Sequence, residues 1–358
     1  MTIKDILKIQ AGPIDKDIYD KAKKKWDKIA KPLDSLGDFE EIVCRICAIT
    51  GNISENADKK AIVIACADNG IVEEGVTQCG KEVTEAVARN LGLGTSSLCI
   101  LAKNTGADII PVDIGIDSDT VLEGVINSKI SKGSHNFLKE PALSETEVIE
   151  AIKAGLSFAA MLKERGYRLI VGGEMGIGNT TTSTAVLCAI LNLPIDAIAG
   201  RGAGLSDSGL VRKRTVIRQG IEKYGFNGKE DITPERAFEI LRCIGGFDIA
   251  YLTGLYIGCG VNHLPVVLDG FISVTAAVVA ETLVQGVREY MIPSHKGRSK
   301  GVDIALNRLG LKPVLNGNMA LGEGTGAAMM FPLIDMVLGF YNSGTTFEQE
   351  EIESYKRF

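Results

Sequence analysis

The 358-residue sequence predicts an α/β protein with a mostly parallel sheet flanked by helices. Three observations lead there. After the polar break GNISENADKK, short apolar runs alternate with longer helix-like segments, the texture of successive βα units. Those runs end in turns that carry carboxylates, glycines or serine. Hydrophobic residues at 45% and charged residues at 23% suit one large α/β domain, or a main domain with a smaller companion.

The first fifty or so residues repeat apolar positions at i, i+3 and i+4 with lysine-rich faces, and so predict helices. Within them KAKKKW (21–26) reads as a solvated face, with a local phosphate contact as the alternative. Cys44 and Cys47 are i, i+3 neighbours in FEEIVCRICAITG; with no second cysteine pair or histidine cluster, they point to core packing rather than metal or redox work. The strands follow in order: AIVIACA (61–67), DIIPVDI (108–114), RLIVGG (168–173), LPVVLD (264–269) and YMIPS (290–294). They run into Asp68-Asn69-Gly70, Asp113 and Gly115, the stretch after Gly173, Asp269-Gly270-Phe271, and Ser294-His295. Ligands of open α/β sheets bind outside the carboxyl ends of the strands, so five such turns together mark a candidate site. Any one alone is explained by turn-making and helix capping.

Three glycine-rich units carry the chemistry. VGGEMGIGNTTTS (171–183) nearly spells the phosphate loop of triphosphate enzymes, but asparagine replaces its lysine and Glu174 sits inside it. A helix starting near Asn179 offers amides and a partial positive charge to an anion, and Thr180, Thr181 and Thr182 add hydroxyls. Without the loop lysine, the site suits a nucleotide monophosphate better than a triphosphate; a capped helix with a glycine-rich entry is the plainer alternative. GRGAGLSDSGLVRKRTVI (200–217) leads into a basic helix whose Lys213 can supply the missing cation, or whose charges are solvated surface. In LNGNMALGEGTGAAMMFPLIDMVL (315–338), Glu323 lies between two glycines ahead of a small-residue helix. A partly desolvated acid there has a raised pKa and can serve as general base; a helix-capping acid is the alternative.

Several function classes are disfavoured. The net charge of −6 offers no nucleic-acid footprint. No apolar run reaches about 18 residues, the length of a membrane span. The start lacks signal-peptide organisation, and the eight cysteines are scattered, mostly in apolar runs, so a reducing, cytoplasmic setting is expected. Three histidines without an H-E-x-x-H pattern argue against a histidine-rich metal site.

Taken together, ADNGIVEEGVTQCGKEVT, GEMGIGNTTTSTA, GRGAGLSDSG, GGFDIAYLTG, PVVLDGFI, IPSHKG and LGEGTGAA resemble the nicotinate-nucleotide–dimethylbenzimidazole phosphoribosyltransferase family, in order from about residue 65 to 330. The resemblance implies transfer of phosphoribose from nicotinate mononucleotide to a lower-ligand base of cobamides, with no cofactor or metal. It implies a Rossmann-like domain (56–302), a smaller helical domain from both termini (1–55 and 303–358), and a homodimer. Glu323 is then the base that deprotonates the incoming azole; beside a carbon that becomes cationic, Glu174 can stabilise the charge, with bracing of the loop as the alternative. Gly176, Gly178, Asn179, Thr180, Thr181, Gly202 and Lys213 surround the nucleotide, and Thr77, Gln78, Asp269, Ser294 and Leu321 complete the substrate site.

The sequence departs from the family pattern at four places. Asn69 stands for a histidine, VTQCG with Gly80 replaces V-S-x-x-P, SHKGRS with Arg298 replaces S-H-x-S-A-E, and Ala320 replaces an arginine. These changes leave the base open among benzimidazoles, purines and phenols, and leave a heterodimer with a paralogue as an alternative. An ATP-using enzyme and a non-catalytic nucleotide or corrinoid-precursor binder are the competing classes.

Overall fold

The computed structural model describes residues 1–228 and 231–357; Phe358, at the end of the expected second helical segment, lies outside them. Six strands form the main sheet: β1 Lys60–Ala67, β2 Ala107–Gly115, β3 Ile126–Asn127, β4 Leu169–Met175, β5 Val266–Leu268 and β6 Met291–Pro293. Their spatial order is β3-β2-β1-β4-β5-β6, and every neighbouring pair is parallel. All five expected strands are present. β3 was not foreseen, since two exposed residues carry no apolar signal.

All eight residues of β1 are buried, as a central strand covered on both faces requires. The period-two alternation sorts its side chains. Ala61, Val63, Ala65 and Ala67 join one core cluster, and Ile62, Ile64 and Cys66 join the other. The first face is covered by helices that include Glu145–Glu164, Asn179–Leu191, Phe247–Val261 and Phe271–Leu283. Close approach there depends on small residues: a methyl at Gly254 would stand 2.0 Å from the Ile152 carbonyl oxygen, so the helices at 145 and 247 pack nearly backbone to backbone.

The second face is covered by helices Lys16–Lys28, Asp38–Thr50 and Met330–Ser343, with Trp26, Phe331 and Tyr341 fully buried among them. Cys44 and Cys47 are buried free thiols in this layer, which is core packing as expected. Helices from both ends of the chain thus share one layer, although Ile6 and helix Lys300–Leu309 belong to the first face. A second, two-stranded parallel sheet pairs β7 His295–Gly297 with β8 Leu315–Met319. Its strands read as loops in the sequence because LNGNM is built of turn-forming residues.

Candidate active site

The strand order reverses between β1 and β4, so a crevice opens where their carboxyl ends part. Glu174 lies on β4 opposite Ala65 and is 8% exposed. The chain then turns through Gly176 and Gly178, the latter at φ +94°, into helix Asn179–Leu191. No side chain caps that helix, and its Asn179 and Thr181 N–H groups donate to the Gly176 (3.1 Å) and Gly178 (2.8 Å) carbonyls, so it meets an anion chiefly through its partial positive charge. Asn179 donates its side-chain amide to Glu174.

The cation arrives from another helix, Asp207–Lys223. Lys213 is 1% exposed, and its Nζ donates to Thr180 Oγ1 at 2.7 Å. Burial lowers its pKa to about 8. Gly202, at φ +53°, borders the same spot: a methyl there would stand 2.9 Å from Thr180 Oγ1 and 3.7 Å from Lys213 Nζ. A helix start, a threonine hydroxyl, a glycine turn and a buried ammonium therefore converge, although they come from distant parts of the sequence.

The second acid enters on a strained turn. Gly322, Glu323 and Gly324 have φ of +85°, +61° and +88°, three successive residues in the left-handed region. For glutamate that conformation costs roughly 1 kcal/mol or more, and it persists only where the surroundings enforce it. Two contacts do so. A methyl at Gly173 would stand 2.7 Å from the Glu323 carbonyl oxygen, so the turn lies directly on β4. Asp269, at the end of β5, accepts from the N–H groups of Gly324 (3.2 Å) and Ala327 (3.0 Å). Glu323 Oε2 has no hydrogen-bond partner among the described residues. Burial, and then the charge of Asp269, raise its pKa. Glu174 is pushed far above the usual carboxylate range by burial and then by the charge of Asp248. A methyl at Gly322 would stand 2.9 Å from Glu174 Oε1, which sets the two acid-bearing segments side by side.

The other expected site residues divide into groups. Asp269 serves the Glu323 turn. Ser294 donates to the Leu268 carbonyl at 2.5 Å and lies 2.8 Å from His295 Nδ1, so its hydroxyl ties β5 to β6. Thr181 is fully buried and its hydroxyl has no partner among the described residues. Gln78 donates to the Ala203 carbonyl at 2.7 Å, and with Thr77, Ser206 and Arg212 it lines an open groove of about 320 Å³. Leu321 is half exposed on the approach to Glu323. Asp248 was missed altogether. It sits in the apolar run GGFDIAYL, where an acid near a helix start gives no sign that it lies under the glycine loop.

A doubly wound parallel sheet with a glycine-loop helix start, a buried lysine and two acids of raised pKa at its switch point is the architecture of an α/β enzyme. Residues 11–352 match the phosphoribosyltransferase family model. The sequence is 40% identical over 352 residues to the nicotinate-nucleotide–dimethylbenzimidazole phosphoribosyltransferase of Clostridium perfringens, covering 98% of this chain and 96% of that one. It is 41% identical over 345 residues to the enzyme of the same name from Acetivibrio thermocellus, covering 96% and 97%. The crystal structure of CobT from Thermus thermophilus superposes with a TM-score of 0.87 at 30% identity, covering 94% of this chain and 99% of that one. The chain belongs to the nicotinate-nucleotide–dimethylbenzimidazole phosphoribosyltransferase family.

Proposed function

We propose that the protein transfers phosphoribose from nicotinate mononucleotide to a ring nitrogen of 5,6-dimethylbenzimidazole, forming α-ribazole phosphate for cobamide synthesis and releasing nicotinate. The glycine loop, Thr180, Gly202 and Lys213 hold the phosphate. The bond from C1′ to the pyridinium nitrogen breaks with its electron pair leaving on nicotinate. A new bond forms from the base nitrogen to C1′, and the azole proton passes to Glu323. Glu174 stabilises the positive charge that builds on the ribosyl carbon, the bound cationic pyridinium favouring its ionised form against the pull of burial. Residues 56–302 carry the catalytic body, and segments 1–55 and 303–358 complete it, bringing Leu321 and Glu323 over the base.

The observation that carries this reading is Glu323, strained, short of hydrogen-bond partners and of raised pKa, lying against the strand that bears Glu174. The names of the relatives favour dimethylbenzimidazole over purine or phenolic bases. No helix among the described residues is long and apolar enough to cross a membrane. A cytoplasmic homodimer is part of the proposal, supported by eight free cysteines and by the exposed apolar side chains Ile100, Leu101, Met329 and Met336.

Incubation with nicotinate mononucleotide and a panel of dimethylbenzimidazole, 5-methoxybenzimidazole, adenine, phenol and p-cresol tests it. Nicotinate is expected, fastest with dimethylbenzimidazole; no release with any base would sink the assignment. Glu323→Gln is expected to lower kcat by about 10²–10⁴-fold, the usual contribution of a general base.

A further inference from the structure

The glycine loop begins where the ladder between β1 and β4 stops. The last pair in register is Cys66 with Met175. Asp68 then gives its N–H to the Gly115 carbonyl of β2 at 2.9 Å, so Gly176-Ile177-Gly178 lies past the end of the ladder. Core packing does not hold the loop either. Its one side chain, Ile177, is half-buried and joins neither core cluster.

Two buried side chains take over from the ladder. Thr84 Oγ1 accepts from the Ile177 N–H at 3.1 Å, and Asn69 Nδ2 donates to the Ile177 carbonyl at 3.4 Å. Both residues are fully buried. Together they offer Ile177 one acceptor and one donor, as a neighbouring strand would. The other end of the Asn69 amide accepts from Thr182 Oγ1 at 3.4 Å, in the first turn of helix Asn179–Leu191, so one orientation of the amide serves loop and helix alike. The space is fitted to that amide: a methyl at Gly176 would stand 3.1 Å from Asn69 Nδ2, and one at Gly246 would stand 2.5 Å from its Oδ1. Just beyond the loop, Thr180 Oγ1 meets Lys213 Nζ at 2.7 Å.

We propose that Thr84 and Asn69 are positioning residues for the nucleotide phosphate, clamping the Ile177 backbone so that Thr180 and the helix start stand where Lys213 reaches them. This rests on the phosphate site assigned above. With the Thr84 hydroxyl gone, the Ile177 N–H has lost its partner, and glycine on either side lets the loop turn to find another. Thr180 then moves off Lys213. The phosphate loses its hold, while groups that bind the nicotinate ring are left in place.

The full-length Thr84→Val protein, which keeps the shape and loses the hydroxyl, tests this beside wild type, Thr84→Ser and Asn69→Ala. Calorimetric titration without any base measures binding of nicotinate mononucleotide and of nicotinate riboside, which lacks the phosphate. Thr84→Val and Asn69→Ala are each expected to weaken nucleotide binding by about tenfold or more and riboside binding by less than about twofold. Thr84→Ser keeps the acceptor and is expected to bind the nucleotide within about threefold of wild type. In transfer assays the loss is expected in KM, with kcat within about threefold. Added to Lys213→Met, Thr84→Val is expected to cost little more, because both act on one contact. Unchanged nucleotide affinity, equal weakening of nucleotide and riboside, a Thr84→Ser protein as weak as Thr84→Val, or losses that multiply on Lys213→Met would each overturn the clamp. Wild type that binds the nucleotide but releases no nicotinate would overturn the reaction assignment, and the binding series would still decide the clamp. Wild type that binds no nucleotide overturns both. Should one of Thr84→Val and Asn69→Ala unfold, the other must show the selective loss; unfolding of both makes the pair structural and overturns the positioning role.

Discussion

Lys213 shows how one residue can be costly to the fold and useful to the site. Its ammonium is buried against a threonine hydroxyl, and burial lowers its pKa from 10.5 to about 8. Below about pH 8 the folded and unfolded chains both hold the proton, so the full penalty of a buried charge is present. Between about 8 and 10.5 the unfolded chain binds more protons, and stability rises with pH. A bound phosphate reverses the preference by favouring the charged form. Affinity for nicotinate mononucleotide is therefore expected to weaken as pH rises through about 8. Lys213→Met is expected to remove that dependence, to weaken nucleotide binding by roughly 10–100-fold, and to raise substrate-free stability by on the order of 1–3 kcal/mol. Calorimetric titration across pH and thermal unfolding of both proteins check the pair; a Lys213→Met protein that binds normally would refute the phosphate role.

At the scale of elements, the site is the junction of β4 with the 322–324 turn. Gly173 is where they touch, and a methyl there meets backbone atoms of Glu323 and Gly324 at 2.7–2.9 Å. Backbone cannot rotate aside as a side chain can, so the turn must move. Gly173→Ala is expected to leave the sheet folded and to lower kcat by about 10²-fold, since displacement near 1 Å at a reacting group has that effect. Circular dichroism and steady-state rates distinguish this from general unfolding. Glycine-rich loops were legible as a group in the sequence, but which glycine meets which loop was not. Gly173 looked like the end of a strand, and its partner lies far along the chain.

For the whole molecule, a sheet covered on both faces still leaves a number of large apolar side chains outside. Ile100 and Met336 are each 69% exposed, and Leu101 and Met329 are about half exposed. If these make the homodimer contact, light scattering will give twice the 38.2 kDa chain mass, and Ile100→Asp with Met336→Asp will reduce it to one. A single-chain mass for the wild type would refute that contact. Transfer activity measured on the same samples shows whether the site is complete within one chain.

Local pattern was enough to read the α/β class, five of the six strands of the main sheet, the helix start at Asn179 and the acids at the strand ends, because these depend on periodicity and turn chemistry within a few residues. Three sheet elements escaped: Ile126–Asn127 is only two residues, His295–Gly297 only three, and Leu315–Met319 is rich in asparagine and glycine. What the tertiary structure decided is which groups meet. It tied Asp269 to the Glu323 turn, brought Lys213 to Thr180, and set Asp248 under Gly176. Those contacts join residues dozens of positions apart, and only the reversal of strand order between β1 and β4 brings them to one crevice.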